Sequence, residues 1–408
     1  MSINLDRTIY RLLCVYLFLI PFEQVLKAWF GIDTVLKPYR IAIILATGLY
    51  LVKVAMGGMS IGRDMREDGY FYLIFVYGII ISLVQMAVAP FSLGKFYNDL
   101  FLVSLSLPAF FIIKNSHFTQ QQMLRLTQFF VAGISLNALN VFYNFYILRN
   151  FGRQAGFMDN PNYLALSIVI AIAFLLYRID LRRWFWALLQ VALLLVLGYT
   201  FIIAGSRGGL LALSAVLFLM FWFGNFWRKL WMGSAIFGAL LLVLVSPSSA
   251  WEGATPLILV NRLNDLEVSD DPRIAIWKGT LRASEETYYL GLGIGQFKAR
   301  FPEFYQGETN QTVYEVVDFG YHLSPHSDYF GILITYGIIG LLLYLFFLFV
   351  TTRRKLRDIY QATVDSVRRY HQFSFTLLLP VILFGFVADS FNSALYWALL
   401  SISTKTPN

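Results

Sequence analysis

The chain has 408 residues, of which 58% are hydrophobic and 14% are charged, and it carries a net charge of +8 at pH 7. Soluble domains contain about 45 to 50% apolar residues, so this composition excludes an ordinary soluble protein and indicates a polytopic membrane protein. The single cysteine excludes an internal disulfide framework and a cysteine-ligated metal site. No basic cluster with interleaved aromatic residues occurs, and we therefore expect no nucleic-acid partner.

Apolar segments long enough to cross a bilayer recur along the whole chain. They predict an all-α integral membrane fold of about twelve transmembrane helices. The first apolar run is followed by PFEQVLKAWFGID rather than by a small-residue cleavage site, so we expect it to be an uncleaved span. The predicted spans are residues 8–26, 38–56, 70–89, 97–113, 121–147, 161–177, 184–204, 209–224, 231–246, 326–350, 371–388 and 390–403.

Basic residues in the short loops predict the orientation, because positively charged segments resist export. Clusters at 178–183, 228–229 and 353–357 are separated by even numbers of spans, which places these loops and both termini in the cytoplasm. The longest connection, residues 247–325, then lies on the external face. Within it, PRIAIWKGTLRASEE predicts an amphipathic helix near the membrane surface, and the glycines of GLGIGQF end it.

The chain therefore divides into three predicted parts. Residues 1–246 carry the first nine spans, residues 247–325 form the external loop with its amphipathic helices, and residues 326–408 carry the last three spans. Long ordered loops usually carry function, so we expect the external loop to take part in the activity.

Two arginines on the predicted external face are candidates for binding phosphate. Arg207 lies in AGSRGGLLAL, where a guanidinium fork and the backbone amides of a helix start suit a phosphate; the alternative is snorkelling to anionic headgroups. Arg273 would form a second clamp on one diphosphate, or pair with a neighbouring aspartate. Arg282 is a weaker candidate of the same kind, and Lys298 is expected to be a solvated surface side chain.

The stretch SPHSDYFGILITYGIIG begins with polar residues at the external end of the predicted tenth span. The ordinary pKa of histidine suits His326 to accept a proton from an attacking hydroxyl, whereas a helix cap is the alternative. His322 lies nearby, and Asp328 would either orient the imidazole or act as a favourable first-turn acid. Asn160, in GFMDNPNYLAL, is a helix cap or a binding residue. These residues show no defined metal-ligand spacing, so we expect neither a metal nor another cofactor.

Five segments occur in a characteristic order over the second half of the chain: GFMDNPNYLAL, SRGGLLAL, RIAIWKGTL, GLGIGQF and PHSDYFGILITYGIIGLL. Together they resemble the O-antigen ligase and O-antigen polymerase superfamily of bacterial membrane glycosyltransferases. A pattern used for the ligases matches His326, Ser327, Gly337 and Gly340, and departs from this sequence at Leu341. A spacing used for the polymerases is also present, from an arginine at 282 to a glycine at 293.

The resemblance implies a fold related to the C-type membrane glycosyltransferases, with the external loop as a periplasmic lid over the active site. It implies transfer of a glycan from undecaprenyl diphosphate with inversion and without a metal, in the bacterial inner membrane among its lipids. By position, the ligase's diphosphate-binding arginines fall on Arg207 and Arg273, and its presumed catalytic histidine falls on His326. The acceptor would be lipid A core or a growing chain, and a chain-length regulator is a conceivable partner.

Several functions stay open at this point. The histidine pattern favours ligation of the glycan onto lipid A core, and polymerisation of O-antigen or exopolysaccharide repeats is the alternative. A transporter or lipid flippase is the competing class. That class predicts ionisable residues deep in the spans, whereas the unusual residues of this sequence cluster at one face.

Overall fold

The computed structural model describes residues 4–32, 34, 36–57, 69–179, 183–224, 272–304 and 324–406. In these ranges the ordered elements are all helical. Six of the described helices are long and apolar enough to cross a membrane, and three shorter apolar helices accompany them. The chain is therefore a multi-pass membrane protein, as its composition predicts.

The described α-helices are numbered in chain order. They are α1 Leu5–Leu19, α2 Val25–Phe30, α3 Pro38–Ala55, α4 Leu73–Val88, α5 Leu93–Asn115, α6 Gln120–Phe142, α7 Pro161–Arg178, α8 Trp184–Ala204, α9 Arg207–Phe223, α10 Pro272–Glu286, α11 Gln296–Phe304, α12 Asp328–Gln361, α13 Asp365–Phe384 and α14 Ala394–Thr404. A 3₁₀ turn precedes α4, and the end of α6 continues as a π-helical turn to Ile147.

Most helix bounds fall within a few residues of the predicted spans. The largest difference concerns α12, which runs to Gln361 although residues 351–360 are predicted to be a cytoplasmic loop. The sequence TTRRKLRDIYQ contains neither glycine nor proline, so nothing interrupts the helix where its composition becomes polar. The predicted ninth span, residues 231–246, lies outside the described residues, and the count of twelve therefore stays a prediction.

Two helices lie at the centre of the bundle. Along α7 every residue from Leu164 to Leu175 is buried, and α14 is buried over its whole length. A helix that is apolar on all sides must be surrounded by other helices. Around α14, the rings of Phe71, Phe110 and Phe391 pack within 5.6 Å of the Trp397 ring, centroid to centroid. This aromatic cluster joins α14 to α5 and to the start of α4.

The helix α12 is broken at Gly337, which has φ 64° and ψ −172°. The break frees carbonyl groups of the helix, and the segment 289–293 supplies their partners: Leu292 N donates to Ile334 O at 2.8 Å and Gly293 N to Thr335 O at 3.1 Å. The absence of a side chain at Gly337 also lets another segment approach closely. The close neighbour is the backbone of Leu290, where a Cβ on Gly337 would overlap the carbonyl group.

Contacts between distant segments define two ends of the bundle. At one end, the 149–163 region meets the N-terminal part of the chain, where Gln24 N donates to Phe157 O at 2.7 Å. At the other end, buried lysines bind helix C-terminal carbonyls: Lys114 Nζ donates to Thr404 O, and Lys355 Nζ donates to Lys405 O. The structure describes most of the candidate residues predicted from the sequence. They lie at the end of the bundle formed by the 149–163 region, or in elements that contact it.

Candidate functional site

The turn between α13 and α14 is tied to the segment that precedes α12. The carboxylate of Asp328 is fully buried and accepts hydrogen bonds from the backbone N–H of Ser390 and Phe391 and from the Ser390 hydroxyl, the last two at 2.7 Å. In return, Asp328 N donates to Gly385 O at 2.7 Å. Asp328 thus binds the 390–391 backbone, and these contacts hold residues 326–328 against the turn.

His326 sits in this fixed segment with a left-handed backbone, at φ 51°. Non-glycine residues adopt that conformation only where their surroundings impose it, often at functional sites. The Asp389 carboxyl lies within electrostatic range of His326 and accepts a hydrogen bond from Ser324. Asp328, the orienting residue considered from the sequence, is engaged with the turn described above.

Burial dominates the electrostatics of Asp389. Loss of water raises the pKa of its carboxyl above the usual range, while the Lys298 ammonium, the Ser324 hydrogen bond and the His326 imidazole act in the opposite direction. Asp389 lies in the turn between α13 and α14. Its chemistry was not predicted, because the groups around it come from distant parts of the chain.

Arg207 is the first residue of α9. Ser206 caps this helix by accepting a hydrogen bond from Gly209 N at 3.0 Å, and the backbone amides of the first turn point out of the helix end that begins with Arg207. Gly208 packs directly on the turn that carries Asp389, since a Cβ at this position would overlap the side chain of Val387. The partly exposed Arg207 therefore lies beside the same turn as His326.

A tryptophan anchors α10, the helix that carries Arg273, to the same region. The indole Nε1 of Trp277 donates to Pro325 O at 3.0 Å, and its ring stacks on Phe330 with centroids 5.3 Å apart. Arg273 precedes Trp277 by four residues and thus lies on the same face of α10. Arg282 lies about 180° round the helix from Arg273 and about 14 Å along its axis, and it is exposed. The helix therefore directs Arg273, and not Arg282, towards the His326 segment.

Asn160 has the capping role that the sequence allowed: its side chain accepts a hydrogen bond from Asn162 N at 2.8 Å at the start of α7. Next to it, Arg153 donates to Ala204 O at the end of α8 and to the Asn162 side chain at 2.8 Å. The hydroxyl of Tyr163 donates to the carbonyl of Asp389. The start of α7 thus borders the Asp389 turn. His322 lies outside the described residues.

A cleft adjoins Asp389. Its empty space, including the part open to solvent, totals about 420 Å³, and its lining includes Asp99, Lys298, Pro325 and Asp389. The Nζ atom of Lys298 is 3.4 Å from Oδ2 of Asp99. The Lys298 side chain is 32% exposed, so it is only partly solvated and also pairs with Asp99. An acidic residue inside the predicted fourth span, in FYNDLFLVSL, was the available signal for Asp99, since ionisable residues inside membrane helices usually have a partner and a role.

The comparison with known protein families bears on these residues. Residues 192–345 match a family model described as O-antigen ligase. The resemblance to the O-antigen ligase and polymerase superfamily is confirmed. The matched segment covers less than half of the chain, and it includes Arg207, Arg273 and His326. No curated protein matches the chain. This match supports a membrane glycosyltransferase of the O-antigen ligase or polymerase type.

Proposed function

We propose that the protein transfers a glycan from undecaprenyl diphosphate to an acceptor sugar on the periplasmic side of the bacterial inner membrane. One observation supports this most directly: residues 324–330, which contain His326, pack on residues 384–391, and the segments that carry Arg207 and Arg273 both contact this unit. Two fixed cations beside one titratable base suit the departure of a diphosphate.

The two arginines would bind the diphosphate of the donor. A guanidinium is permanently charged and presents a planar set of donors that matches phosphate oxygens. The first turn of α9 adds backbone amides beside Arg207. As the bond between the sugar and the diphosphate breaks, negative charge grows on the leaving oxygen, and cations already in place stabilise it without reorganisation.

His326 would assist the acceptor. The acceptor hydroxyl attacks the anomeric carbon, and the new C–O bond forms as the bond to the diphosphate breaks, with the electron pair leaving on the diphosphate. The hydroxyl proton passes to the imidazole and then to solvent. Asp389 lies within electrostatic range of His326, and its carboxylate would stabilise the protonated imidazole. A single displacement of this kind inverts the configuration at the anomeric carbon.

Within this reaction class we favour ligation onto lipid A core, because the histidine pattern at residues 326–340 matches the ligases. Polymerisation of glycan repeats is the second candidate, and the spacing of Arg282 and Gly293 favours it. The experiment uses purified protein, a lipid-linked glycan and separate acceptors. Modified core oligosaccharide is the expected product, and a lengthened lipid-linked glycan with unmodified core would identify a polymerase instead.

Alanine variants test the residues. We expect His326→Ala and Arg207→Ala to lower the transfer rate by about 100-fold or more, the effect typical of losing a group that acts in the transition state.

Arg273→Ala and Arg282→Ala form a matched pair on one helix. The first should lose about 100-fold in kcat/KM and the second less than about threefold, because only Arg273 shares the face of Trp277. A loss of less than about threefold in Arg273→Ala would remove Arg273 from the mechanism.

A further inference from the structure

The cleft beside Asp389 has walls from four parts of the chain. Asp99 belongs to α5, Lys298 to α11, Thr335 and Tyr336 to the first half of α12, and Asn392 to the turn before α14. Pro325 also lines the cleft and directly precedes His326. The opening is therefore continuous with the candidate site, on the side of the turn formed by residues 389–392.

Two acidic side chains determine the chemistry of the cleft. Asp99 is only 5% exposed, although it lies six residues into a membrane helix. Its polar contacts are long: Lys298 Nζ is 3.4 Å from Oδ2 and Asn98 Nδ2 is 3.3 Å from Oδ1. Charge-assisted hydrogen bonds are usually about 2.7 to 2.9 Å, and each carboxylate oxygen has two lone pairs. Asp99 therefore keeps the capacity to accept hydrogen bonds from a ligand.

The balance of charge excludes one class of ligand. The described lining carries two carboxylates, Asp99 and Asp389, and one ammonium, Lys298. A diphosphate placed there would face like charges, which costs binding energy. Hydroxyl and ammonium groups, in contrast, would donate to the carboxylates. The rings of Phe297, Tyr336 and Phe391 also line the cleft and offer apolar surface to the carbon face of a sugar ring.

The position relative to the arginines distinguishes donor from acceptor. Gly208, next to Arg207, packs on Val387, whereas the lining of the cleft includes Asp389, Phe391 and Asn392 further along the turn. In an inverting displacement the leaving group and the attacking hydroxyl approach the anomeric carbon from opposite sides. With the leaving diphosphate at the arginines, the cleft is the separate opening beside His326 that the attacking sugar could occupy.

We propose that this cleft binds the acceptor, as a neutral or amino sugar ring whose attacking hydroxyl points towards His326. Asp99 and Asn392 would bind its other hydroxyl groups, and the two carboxylates would reject uronic acids and phosphorylated sugars. The inference rests on the proposed transfer reaction, and it adds the location of the acceptor and the charge class that the site accepts.

The first measurement is binding and needs no turnover. Methyl glycosides of a hexose, a hexosamine and a hexuronic acid are titrated into the purified full-length protein in detergent. The wild type should bind the first two at least about tenfold more tightly than the third, since one charged hydrogen bond corresponds to about tenfold or more in affinity. Asp99→Asn should reduce this discrimination to less than about threefold. Equal binding of all three sugars by the wild type would overturn the inference.

The second measurement is kinetic. Asp99→Asn and Asn392→Ala should raise the KM for the acceptor about tenfold or more and leave the KM for the lipid-linked donor within about twofold. The matched control is Glu303→Gln, which breaks the 2.8 Å ion pair with Arg300 on the same helix as Lys298. It should change neither constant. A raised donor KM with an unchanged acceptor KM would assign the cleft to the donor and overturn the inference.

The two proposals fail in different ways. A wild-type protein that binds the neutral glycosides through Asp99 and transfers no glycan would retain the cleft and refute the reaction. A wild-type protein that transfers glycan, with unchanged glycoside binding and acceptor KM in Asp99→Asn and Asn392→Ala, would retain the reaction and refute the cleft. Because Asn392 lies in a turn and Asp99 in a helix, the two variants are independent tests should one of them fold poorly.

Discussion

At the scale of single residues, Asp389 combines an energetic cost with a chemical use. Its carboxyl lies partly buried between α13 and α14, and burial raises its pKa. A group whose folded-state pKa is raised opposes folding when it is ionised, because the folded protein must hold a poorly solvated charge. The same carboxyl lies within electrostatic range of His326. Active sites commonly retain such unfavourable groups for function.

Asp389→Asn tests both sides of this balance. Above the folded-state pKa the wild type bears the cost of the buried charge, and below the unfolded-state pKa, which is about 4 for an aspartate, it bears none. The variant should therefore have a higher Tm than the wild type at pH 8, and this difference should shrink as the pH falls towards 4. Its transfer rate should fall by about tenfold or more, since the imidazole loses its anionic neighbour.

Differential scanning fluorimetry in detergent across this pH range measures the first effect, and steady-state transfer measures the second. A Tm difference that is the same at every pH would show that the ionised carboxyl carries no burial cost. Unchanged transfer would show that His326 works without Asp389.

At the scale of elements, the break in α12 and the segment 289–293 form one unit. Gly337 lies nine residues, or about 14 Å, into a membrane helix, a depth at which irregular backbone is tolerated only when protein buries it. The neighbouring helix α4 contributes the remaining partners: Gln85 Nε2 donates to Gly291 O at 2.9 Å, and Ile294 N donates to Ser82 Oγ at 2.9 Å. The polar residues of α4 thus satisfy the backbone of this segment.

Gly337→Ala should destabilise the protein by about 1 to 3 kcal/mol or more, because the backbone at φ 64° and ψ −172° is accessible almost only to glycine. The new methyl group would also meet the Leu290 carbonyl. Thermal unfolding in detergent measures the effect. Gly198→Ala is the control, since nothing lies within 4 Å of a Cβ at that position inside α8. If both variants melt at the wild-type temperature, the break does not depend on glycine.

The elements also show which features a single sequence can predict. The bounds of α7 and α8 follow from local composition, because a run of apolar residues must cross the bilayer and a helix is the structure that satisfies its backbone. The Asp99–Lys298 pair joins residues 199 positions apart, and the left-handed backbone of His326 is imposed by its neighbours. Such features arise from tertiary packing, which the periodicity of one segment does not encode.

At the scale of the whole molecule, the two ends of the bundle differ in the chemistry that they present. One end gathers Arg207, His326 and Asp389 around a turn, next to a cleft. The other end buries Lys114 and Lys355 against helix C-terminal carbonyls. Lysines at a helix C-terminus complement its dipole, and lysine-rich ends of membrane proteins lie on the cytoplasmic side. This asymmetry agrees with the orientation predicted from the loops.

Cysteine labelling tests the orientation. The only cysteine, Cys14, is buried, so Cys14→Ser provides a background without thiols. In that background, Asn150→Cys places an exposed thiol at the end that carries His326, and Gln361→Cys places one at the opposite end. A membrane-impermeant maleimide should label position 150 in spheroplasts and position 361 only after lysis. Because a diphosphate donor must reach the arginines from the periplasm in the proposed reaction, the reverse labelling pattern would exclude both the orientation and that reaction.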